Sequence, residues 1–352
     1  MIRQLLVCRS RGTDPYENLA LEEALLHRVG AGELILYLWQ NERTVVIGRN
    51  QNPWKECRTA LLAEEGGHLA RRLSGGGAVF HDRGNLNFTF LVRETDYDVS
   101  RQLSVIETAC RSLGIPVERS GRNDLLADGR KFSGNAFCKH EGRCYHHGTL
   151  MVDVDMEMVQ RYLSPSKAKL AAKGVDSVRS RVVNLKEFVP ELTIERLSEA
   201  LIAALAEVYA AGAAIGRPPE AETFQGCHSE RSEESVPPPP VLPLDINELD
   251  LRTLTEKYKS DAWLYGPKLP FTLSVEDRFP WGGVELQLQV ESGVIRTAKV
   301  YTDAMDETLA PRLEAALTGC AFRSDALLDA MNRTDLPDLQ KTDVLSLLRK
   351  VL

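Results

Sequence analysis

The sequence predicts an α+β protein with a large N-terminal domain and a small C-terminal domain. The chain has 352 residues, a length that suggests two domains. Strand-like and helical patterns are mixed up to residue 209, after which residues 216–243 break the composition with paired prolines and a Ser/Glu run. A hairpin pattern and several helical patterns follow. We therefore expect one domain at 1–266, with a flexible linker or insertion at about 216–243, and an accessory domain at 267–352.

The first helix is marked by the residues at its start. Asp14 is a typical N-cap, Pro15 suits the first helical position, and Glu17 completes a pair similar to a capping box. The apolar periodicity predicts that this helix continues to Val29. Similar signals predict strands at 34–39 and 44–47, a helix at 100–113, a meander at 117–137 with Asp128-Gly129 as its hairpin turn, a strand at 147–154 and a helix at 193–209.

The accessory domain is predicted to contain a hairpin and helices. Residues 284–290 and 294–301 alternate apolar and polar side chains, and Ser292-Gly293 lies between them as a turn. Helical patterns follow at 309–317 and 325–331, with one more near the C-terminus. This pattern is typical of a small α+β domain.

Composition and charge argue against several classes of protein. A net charge of -7 disfavours a general nucleic-acid-binding protein. No apolar run reaches about 18 residues, the length of a membrane span, and Met1 is followed by polar and basic residues, so we expect neither a membrane protein nor a secreted one. The cysteines lack a C-x-x-C motif, which favours free thiols in a reducing cytoplasm and gives no support to a zinc site; they are Cys8, Cys57, Cys110, Cys138, Cys144, Cys227 and Cys320.

A glycine-rich stretch organises the first domain, and residues 71–90 read RRLSGGGAVFHDRGNLNFTF. Consecutive glycines let backbone N–H groups converge on an anion, and Arg71 and Arg72 add planar donors that are always charged. The alternative is an ordinary hairpin turn flanked by solvated arginines. The pattern is not a P-loop, because a P-loop requires Lys-Ser/Thr and a helix after the last glycine. Here a strand follows.

Asn123-Asp124 and Lys131 form a second candidate group. If the strands on either side of the Asp128-Gly129 turn are antiparallel, these side chains project from one end of the hairpin region. A carboxylate there can hold Mg²⁺, and a lysine can bridge a phosphate and an acyl oxygen. The alternative is a surface ion pair, which contributes little.

Two more motifs follow along the chain. His146 and His147 are adjacent on a predicted strand, so they face opposite ways, and one of them is expected to be a hydrogen-bonding site residue rather than half of a metal site. Residues 161–186 contain seven Lys/Arg against one acid, Asp176. This segment is either a solvated basic loop or a mobile flap that closes over an anionic intermediate, with Gly174 as its hinge.

Together these motifs resemble bacterial lipoate–protein ligase A, of the biotin/lipoate–protein ligase superfamily. The resemblance is carried by RRLSGGGAVFHDRGNLNF, GRNDLL, RKFSGNAF, HHGTLMVDVD and KLAAKGVDSVRSRVVNL, and also by NLALEE, TVVIGRNQNPWKE and WGGVELQLQVESGVI. It covers nearly the whole chain in order, except the segment around 227–243. It implies a large mixed-sheet catalytic domain related to class II aminoacyl-tRNA synthetases, followed by the accessory domain.

The resemblance implies a reaction in two steps. Lipoate and ATP, with Mg²⁺, would form lipoyl-AMP and pyrophosphate, and the lipoyl group would then pass to a lysine of a carrier domain. The implied carriers are subunits of 2-oxoacid dehydrogenase complexes and the glycine cleavage H protein. The enzyme is expected to be a cytoplasmic monomer that binds neither nucleic acid nor membranes.

The resemblance also implies residue roles. Lys131 would be catalytic, touching the acyl oxygen and the α-phosphate, and Asp124 would be a possible Mg²⁺ contact. An apolar slot for the dithiolane is expected around Val45, Val79 and Phe80. The other implied roles are nucleotide binding by Arg72, Gly77, Ala78, Val79, Phe80, Asn123 and Asp124; lipoate binding by Ser74, Gly76, Ser133, His147, Gly148 and Thr149; and a flap formed by Lys173, Gly174, Val175, Ser177, Arg179 and Arg181.

Two other functions stay open at this point. An ATP-independent octanoyl- or lipoyl-transferase of the same superfamily would work through a cysteine thioester, and Cys138 and Cys144 lie near the site in sequence. A non-catalytic module that binds carrier domains is disfavoured because Lys131, Arg72 and the glycine-rich turn are intact. The flap motif and the accessory domain favour the ligase over the transferase.

Overall fold

The structure, a computed structural model, describes residues 1–121, 124–164, 182–211, 239–266 and 270–352. Its strands are β1 Gln4–Arg9, β2 Glu33–Trp39, β3 Thr44–Ile47, β4 His68–Arg71, β5 Val79–His81, β6 Asn85–Arg93, β7 Glu118–Ser120, β8 Asp124–Ala127, β9 Arg130–His140, β10 Arg143–Met151, β11 Val241–Pro243, β12 Leu273–Phe279, β13 Gly282–Glu291 and β14 Val294–Thr302. Its helices are α1 Pro15–Arg28, α2 Pro53–Glu56, α3 Thr59–Glu64, α4 Val99–Ser112, α5 Met156–Tyr162, α6 Ile194–Ala211, α7 Arg252–Lys259, α8 Asp261–Leu264, α9 Leu309–Leu317, α10 Ser324–Asn332 and α11 Asp338–Leu348. The predicted fold class, a large mixed-sheet domain followed by a small α+β domain, is confirmed.

Within the described residues the main sheet has eight strands, in the order β11-β1-β2-β6-β10-β9-β8-β7. The strands β11, β1 and β2 are parallel, and all later pairs are antiparallel. Alternate side chains of β2 enter different cores: Leu34 and Leu36 pack with α4 and α6, whereas Ile35 and Tyr37 pack with α1. Because both faces of the sheet are covered, β2 reads as a nearly continuous apolar run.

A second, small sheet lies beside the main one and carries the glycine-rich loop. Its strands run in the order β4-β3-β5, with β3 parallel to β4 and antiparallel to β5. The strands predicted at 34–39 and 44–47 therefore exist, but they belong to different sheets. The loop of residues 72–78 joins β4 to β5 and faces the main sheet across a cavity.

The C-terminal residues form a sheet with its own core. The strands β12, β13 and β14 are antiparallel, and α9, α10 and α11 cover one face. Polar contacts join this part to the first: the Thr302 N–H donates to the Asn50 carbonyl at 2.9 Å, and Lys55 Nζ lies 3.1 Å from Glu285 Oε1. Asn50 Nδ2 also donates to the Glu307 carbonyl at 2.8 Å.

The sequence correctly predicted features that depend only on residues adjacent in the chain, such as a helix start and a hairpin turn. The Asp14 side chain accepts from the N–H groups of Tyr16 and Glu17, which confirms the predicted helix start. Asp128 and Gly129 have φ angles of 51° and 69°, as a tight hairpin turn requires.

Three differences from the sequence predictions have simple causes. The predicted linker ends too late, since Val241–Pro243 is an edge strand paired with β1; residues 216–238 lie outside the described part. Strand β12 was not predicted, because as an exposed edge strand it carries mostly polar side chains. Strand β10 begins at Arg143, four residues before the predicted start.

Helix length and polarity bear on membrane association. Of the helices in the described ranges, none is both long and apolar enough to cross a membrane.

Candidate active site

Arg72 holds the glycine-rich loop in shape. Its guanidinium is buried and donates to the carbonyls of Gly75 and Gly77 at 2.7 and 2.8 Å, and its Nε donates to Ser74 Oγ at 3.0 Å. Burial lowers the pKa of Arg72 to about 10, so the group stays charged at neutral pH. Arg72 therefore brings a positive charge to the cavity while most of its N–H groups fix the loop.

Arg71 is also a structural residue in this arrangement. Its Nη1 donates to the carbonyls of Arg49 and Gln51 at 2.7 and 2.8 Å, and its Nε donates to the carbonyl of Trp263 at 2.9 Å. Arg71 thus joins the loop after β3 to α8. Neither arginine is the solvated residue that an ordinary hairpin turn would have.

A buried hydrogen-bond chain connects helix α1 to the loop. Glu22, only 1% exposed, accepts from Thr89 Oγ1 at 2.7 Å and from His147 Nδ1 at 2.9 Å. In the neutral imidazole, donation through Nδ1 leaves Nε2 to accept from Ser74 Oγ, 2.8 Å away. Ser74 in turn accepts from Arg72 Nε. The chain therefore runs from a buried carboxylate through an imidazole and a hydroxyl to a guanidinium.

This chain makes Glu22 a structural requirement of the site. Glu22→Ala is expected to lower the free energy of unfolding by about 3 kcal/mol, because it leaves Thr89 and His147 without their buried acceptor. Glu17 lies exposed on the same helix, and Glu17→Ala should cost less than about 1 kcal/mol. Urea unfolding of both variants tests the difference. Equal losses would show that the chain does not stabilise the fold.

Lys131 and Asp124 form an ion pair at the opening of the cavity. Lys131 Nζ lies 2.6 Å from Asp124 Oδ1, and the two side chains are 37% and 40% exposed. They meet because β8 and β9 pair antiparallel around the tight turn, with a register shift between Leu125 and Leu126. The Lys131 side chain packs directly over Gly134, and a Cβ added to Gly134 would lie only 3.1 Å from Lys131 Nζ. Glycine at 134 therefore leaves room for the lysine.

The cavity between the two sheets has a volume of about 240 Å³. Among its lining residues Lys131 and Asp124 are partly exposed, whereas Trp39, His81 and Asn87 are almost fully buried, from which we infer that the first two lie at its opening and the other three at its floor. The residues that line it are Leu19, Trp39, Val46, Arg72, Gly76, Gly77, Ala78, Val79, His81, Asn87, Asp124, Lys131, Gly134, Asn135, Ala136, His147, Gly148, Thr149 and Met305. A narrow, mainly apolar pocket with charged groups at its mouth suits an acyl chain that ends in a carboxylate.

Most of the sequence-predicted site residues that the structure describes lie at this cavity. The expected strands do line the cavity, but two of the named side chains do not: Val45 and Phe80 are paired across β3 and β5 and pack on the other side, where the Phe80 ring lies 5.5 Å from that of Tyr162. Val46 and Val79 line the cavity instead, because neighbouring residues on a strand face opposite ways. Ser133 is buried but is not part of the lining; Gly134 takes that place.

Some predicted residues fall outside the described ranges. These are Asn123 and the whole set assigned to the flap, namely Lys173, Gly174, Val175, Ser177, Arg179 and Arg181. Their roles stay predictions.

The C-terminal domain contributes to the cavity wall, although no residue of this domain was predicted at the site. Met305 lines the cavity, and the Gly76 N–H donates to the Ala304 carbonyl at 3.0 Å. A Cβ on Gly75 would lie 2.4 Å from the Ala304 oxygen and 2.5 Å from the Met305 oxygen. The glycine-rich loop is therefore fitted to the accessory domain, and glycine at 75 allows the two backbones to approach.

Comparison with known proteins gives consistent matches over both parts of the chain. A family model for the lipoyl protein ligase A/B catalytic domain matches residues 14–206, and one for the bacterial lipoate protein ligase C-terminus matches residues 268–348. LipL1 of P. falciparum, solved in complex with lipoate, is 26% identical, with a TM-score of 0.78 over 97% of this chain and 98% of that one.

Two further solved structures share the fold at lower identity. The bipartite lipoate protein ligase of Thermoplasma acidophilum, from a study of that ligase and its E2 lipoyl domain, is 24% identical; the match covers 78% of this chain and 100% of that one, with a TM-score of 0.57. Lipoate-protein ligase A bound with ATP is also 24% identical, with a TM-score of 0.54 over 76% of this chain and 99% of that one.

Proposed function

This chain belongs to the lipoyl protein ligase A/B family, as its motifs predicted, and we propose that it is an ATP-dependent lipoate–protein ligase. In the proposed reaction the lipoate carboxylate attacks the α-phosphorus of ATP, forming lipoyl-AMP and releasing pyrophosphate. The ε-amine of a carrier lysine then attacks the acyl carbon, an amide forms and AMP leaves. The observation that carries this proposal is Lys131 at the mouth of a narrow, mainly apolar cavity.

The position of Lys131 suits the activation step. A carboxylate and a phosphate repel each other, so their reaction requires positive charge at their junction. An acid whose alkyl chain fills the cavity places its carboxylate at the mouth, beside Lys131 Nζ. The buried Arg72 adds a second positive charge within the lining. In this proposal both cations lower the cost of bringing the two anions together.

The nucleotide and its metal are proposed from the same region. The ligase solved with ATP shares the fold, which supports ATP as co-substrate. Mg²⁺ often binds through one or two carboxylates together with substrate phosphates, and Asp124 at the mouth fits such a ligand. When bound, Mg²⁺ would neutralise phosphate charge. Asp124 also orients Lys131 through their ion pair.

We propose lipoyl carrier domains as the partners. The solved archaeal ligase was studied with its E2 lipoyl domain, which supports an E2 lipoyl domain as acceptor here. The lipoyl domains of 2-oxoacid dehydrogenase complexes and the glycine cleavage H protein are the carriers that we propose. The enzyme is proposed to act as a monomer in the cytoplasm.

The two cysteines that a thioester transferase would use are poorly placed for that role. Cys138 and Cys144 are both buried, and neither lines the cavity. Burial raises the pKa of the Cys144 thiol to about 11 and raises that of the Cys138 thiol well above its usual value. Thiols in this state are weak nucleophiles at neutral pH.

Cys138→Ser and Cys144→Ser should therefore keep ligase activity within about threefold of wild type, because an adenylate mechanism uses no thiol. Lipoylation of a carrier domain by each variant is the measurement. Loss of turnover, together with a hydroxylamine-sensitive acyl-enzyme on either cysteine of the wild type, would move the assignment to the transferase.

The proposed function is tested by the complete reaction. Purified protein, lipoate, ATP, Mg²⁺ and an E2 lipoyl domain are combined, and mass spectrometry follows the lipoyl group on the carrier. Modification should require both ATP and lipoate and should fail on a carrier whose acceptor lysine is replaced by arginine. Modification without ATP from an acyl carrier thioester would contradict the proposal.

A further inference from the structure

The floor of the cavity contains two polar side chains that the proposed reaction does not use. His81 and Asn87 line the cavity, and they are only 3% and 0% exposed. They lie beside Trp39, since Asn87 pairs with Trp39 across β2 and β6 and the His81 ring lies 6.1 Å from the Trp39 ring. Lys131 and Asp124 lie at the exposed mouth. An acid with its carboxylate at Lys131 therefore places its far end near His81 and Asn87.

A hydrogen-bond chain fixes which nitrogen of His81 carries the proton. Asn18 Nδ2 donates to the Gln40 carbonyl at 2.8 Å and to Asn41 Oδ1 at 3.0 Å, which sets the orientation of both amides. Asn41 Nδ2 then donates to His81 Nδ1, 3.2 Å away. Burial, with a smaller contribution from the charge of Arg72, lowers the pKa of His81 to about 3, so the imidazole is neutral at neutral pH. With Nδ1 as acceptor, Nε2 carries the hydrogen.

Asn87 is oriented in a similar way. Its Oδ1 accepts from Asn85 Nδ2 at 2.9 Å, so its Nδ2 is directed elsewhere. Neither Asn87 Nδ2 nor His81 Nε2 has a hydrogen-bond partner within the described ranges. The floor of a mainly apolar pocket thus carries two N–H groups that are buried and uncommitted.

These N–H groups distinguish between two kinds of acyl terminus. Sulfur with lone pairs is a weak hydrogen-bond acceptor, whereas a methyl or methylene group is none. A hydrocarbon terminus would displace water and leave both N–H groups unpaired in a closed pocket, which is costly. A ring disulfide of the same shape would offer them acceptors.

We propose, resting on the proposed function, that His81 and Asn87 are specificity-determining residues that bind the dithiolane sulfurs of lipoate through N–H···S hydrogen bonds. They select lipoate over hydrocarbon acids of the same shape, and over octanoate. Because they lie at the floor, they act on binding of the acid rather than on the chemical step at Lys131.

The test compares two acids that differ only in the sulfur atoms. Cyclopentanepentanoate has the same chain and ring as lipoate, with two methylene groups in place of the disulfide. Calorimetry on the full chain without ATP should show that lipoate binds about tenfold or more tightly than the carbocyclic acid. Equal affinities would overturn the proposal, whatever the variants do.

Variants locate the origin of the preference. His81→Phe and Asn87→Leu should each reduce the affinity ratio of the two acids severalfold, by weakening lipoate binding and strengthening binding of the carbocyclic acid. Val79→Ala, which changes the same cavity without removing a donor, should leave the ratio unchanged. A ratio that neither His81→Phe nor Asn87→Leu alters would overturn the proposal. Octanoate, tested in parallel, should behave as the carbocyclic acid does.

Failure of the proposed function and failure of the sulfur recognition would give different experimental results. If neither acid binds and lipoate is not activated with ATP, the ligase assignment itself falls, and this inference with it. If both acids bind equally and lipoate is still activated, only the sulfur recognition is refuted.

Discussion

Lys131→Ala is expected to reduce formation of lipoyl-AMP by a hundredfold to a thousandfold, corresponding to about 3–4 kcal/mol of lost transition-state stabilisation. The lysine is the cation at the cavity mouth, where carboxylate and α-phosphate are proposed to meet. The fold should survive, because Lys131 joins Val183 through its backbone carbonyl, which accepts from the Val183 N–H at 2.9 Å. Lipoate-dependent release of pyrophosphate is the measurement.

The control for this variant is Lys186→Ala. Lys186 is a lysine in a comparable ion pair, 2.7 Å from Asp153, but it does not line the cavity. Its replacement should change pyrophosphate release by less than about twofold. Near-normal release by Lys131→Ala would remove Lys131 from the proposed mechanism.

Removal of the C-terminal domain should separate the two half-reactions. A chain ending at Gly266 is expected to lose about a hundredfold or more in activation of lipoate, but to keep transfer from supplied lipoyl-AMP to a carrier domain. The reason is that truncation removes the Ala304 carbonyl, which accepts a hydrogen bond from the Gly76 N–H, and Met305, which lines the cavity. Activation requires two anions in close alignment, whereas transfer requires only a formed adenylate and an incoming lysine.

Both half-reactions are measured on the truncated protein once circular dichroism has shown that it is folded. Gly75→Ala in the full chain is the matched variant, because its Cβ would clash with the Ala304 and Met305 carbonyls and push the domain away from the loop. It should reduce activation more than transfer as well. Equal loss of both half-reactions after truncation, or undiminished activation, would contradict the expected division of labour.

The sequence was most informative where structure depends on neighbouring residues. The turn chemistry of Asp128-Gly129 placed Asp124 and Lys131 at one end of a hairpin region, and the two side chains do meet. The same kind of reasoning separated His146 from His147 on one strand: His146 contacts Gln102 and Asn135, whereas His147 contacts Ser74 and Glu22.

The rest of the site depends on contacts between distant segments. Glu22 looks like an ordinary helical residue in sequence, and only the packing of α1 against the sheet buries it beside His147. Met305 is more than 150 residues from the nearest cavity-lining segment of the first domain, Met305 and Thr149 being 156 positions apart. Met305 lines the cavity because the C-terminal domain packs against the first domain, and no local sequence pattern predicts that packing.

In the proposed mechanism lipoate is activated on ATP at the Lys131 end of the cavity before any carrier domain is involved. The most direct test of this step is the exchange of labelled pyrophosphate into ATP by the full chain, with Mg²⁺ and without a carrier domain. Exchange should require lipoate and should be lost in Lys131→Ala. Absence of lipoate-dependent exchange from a folded wild-type protein, or full exchange by Lys131→Ala, would contradict the proposed mechanism.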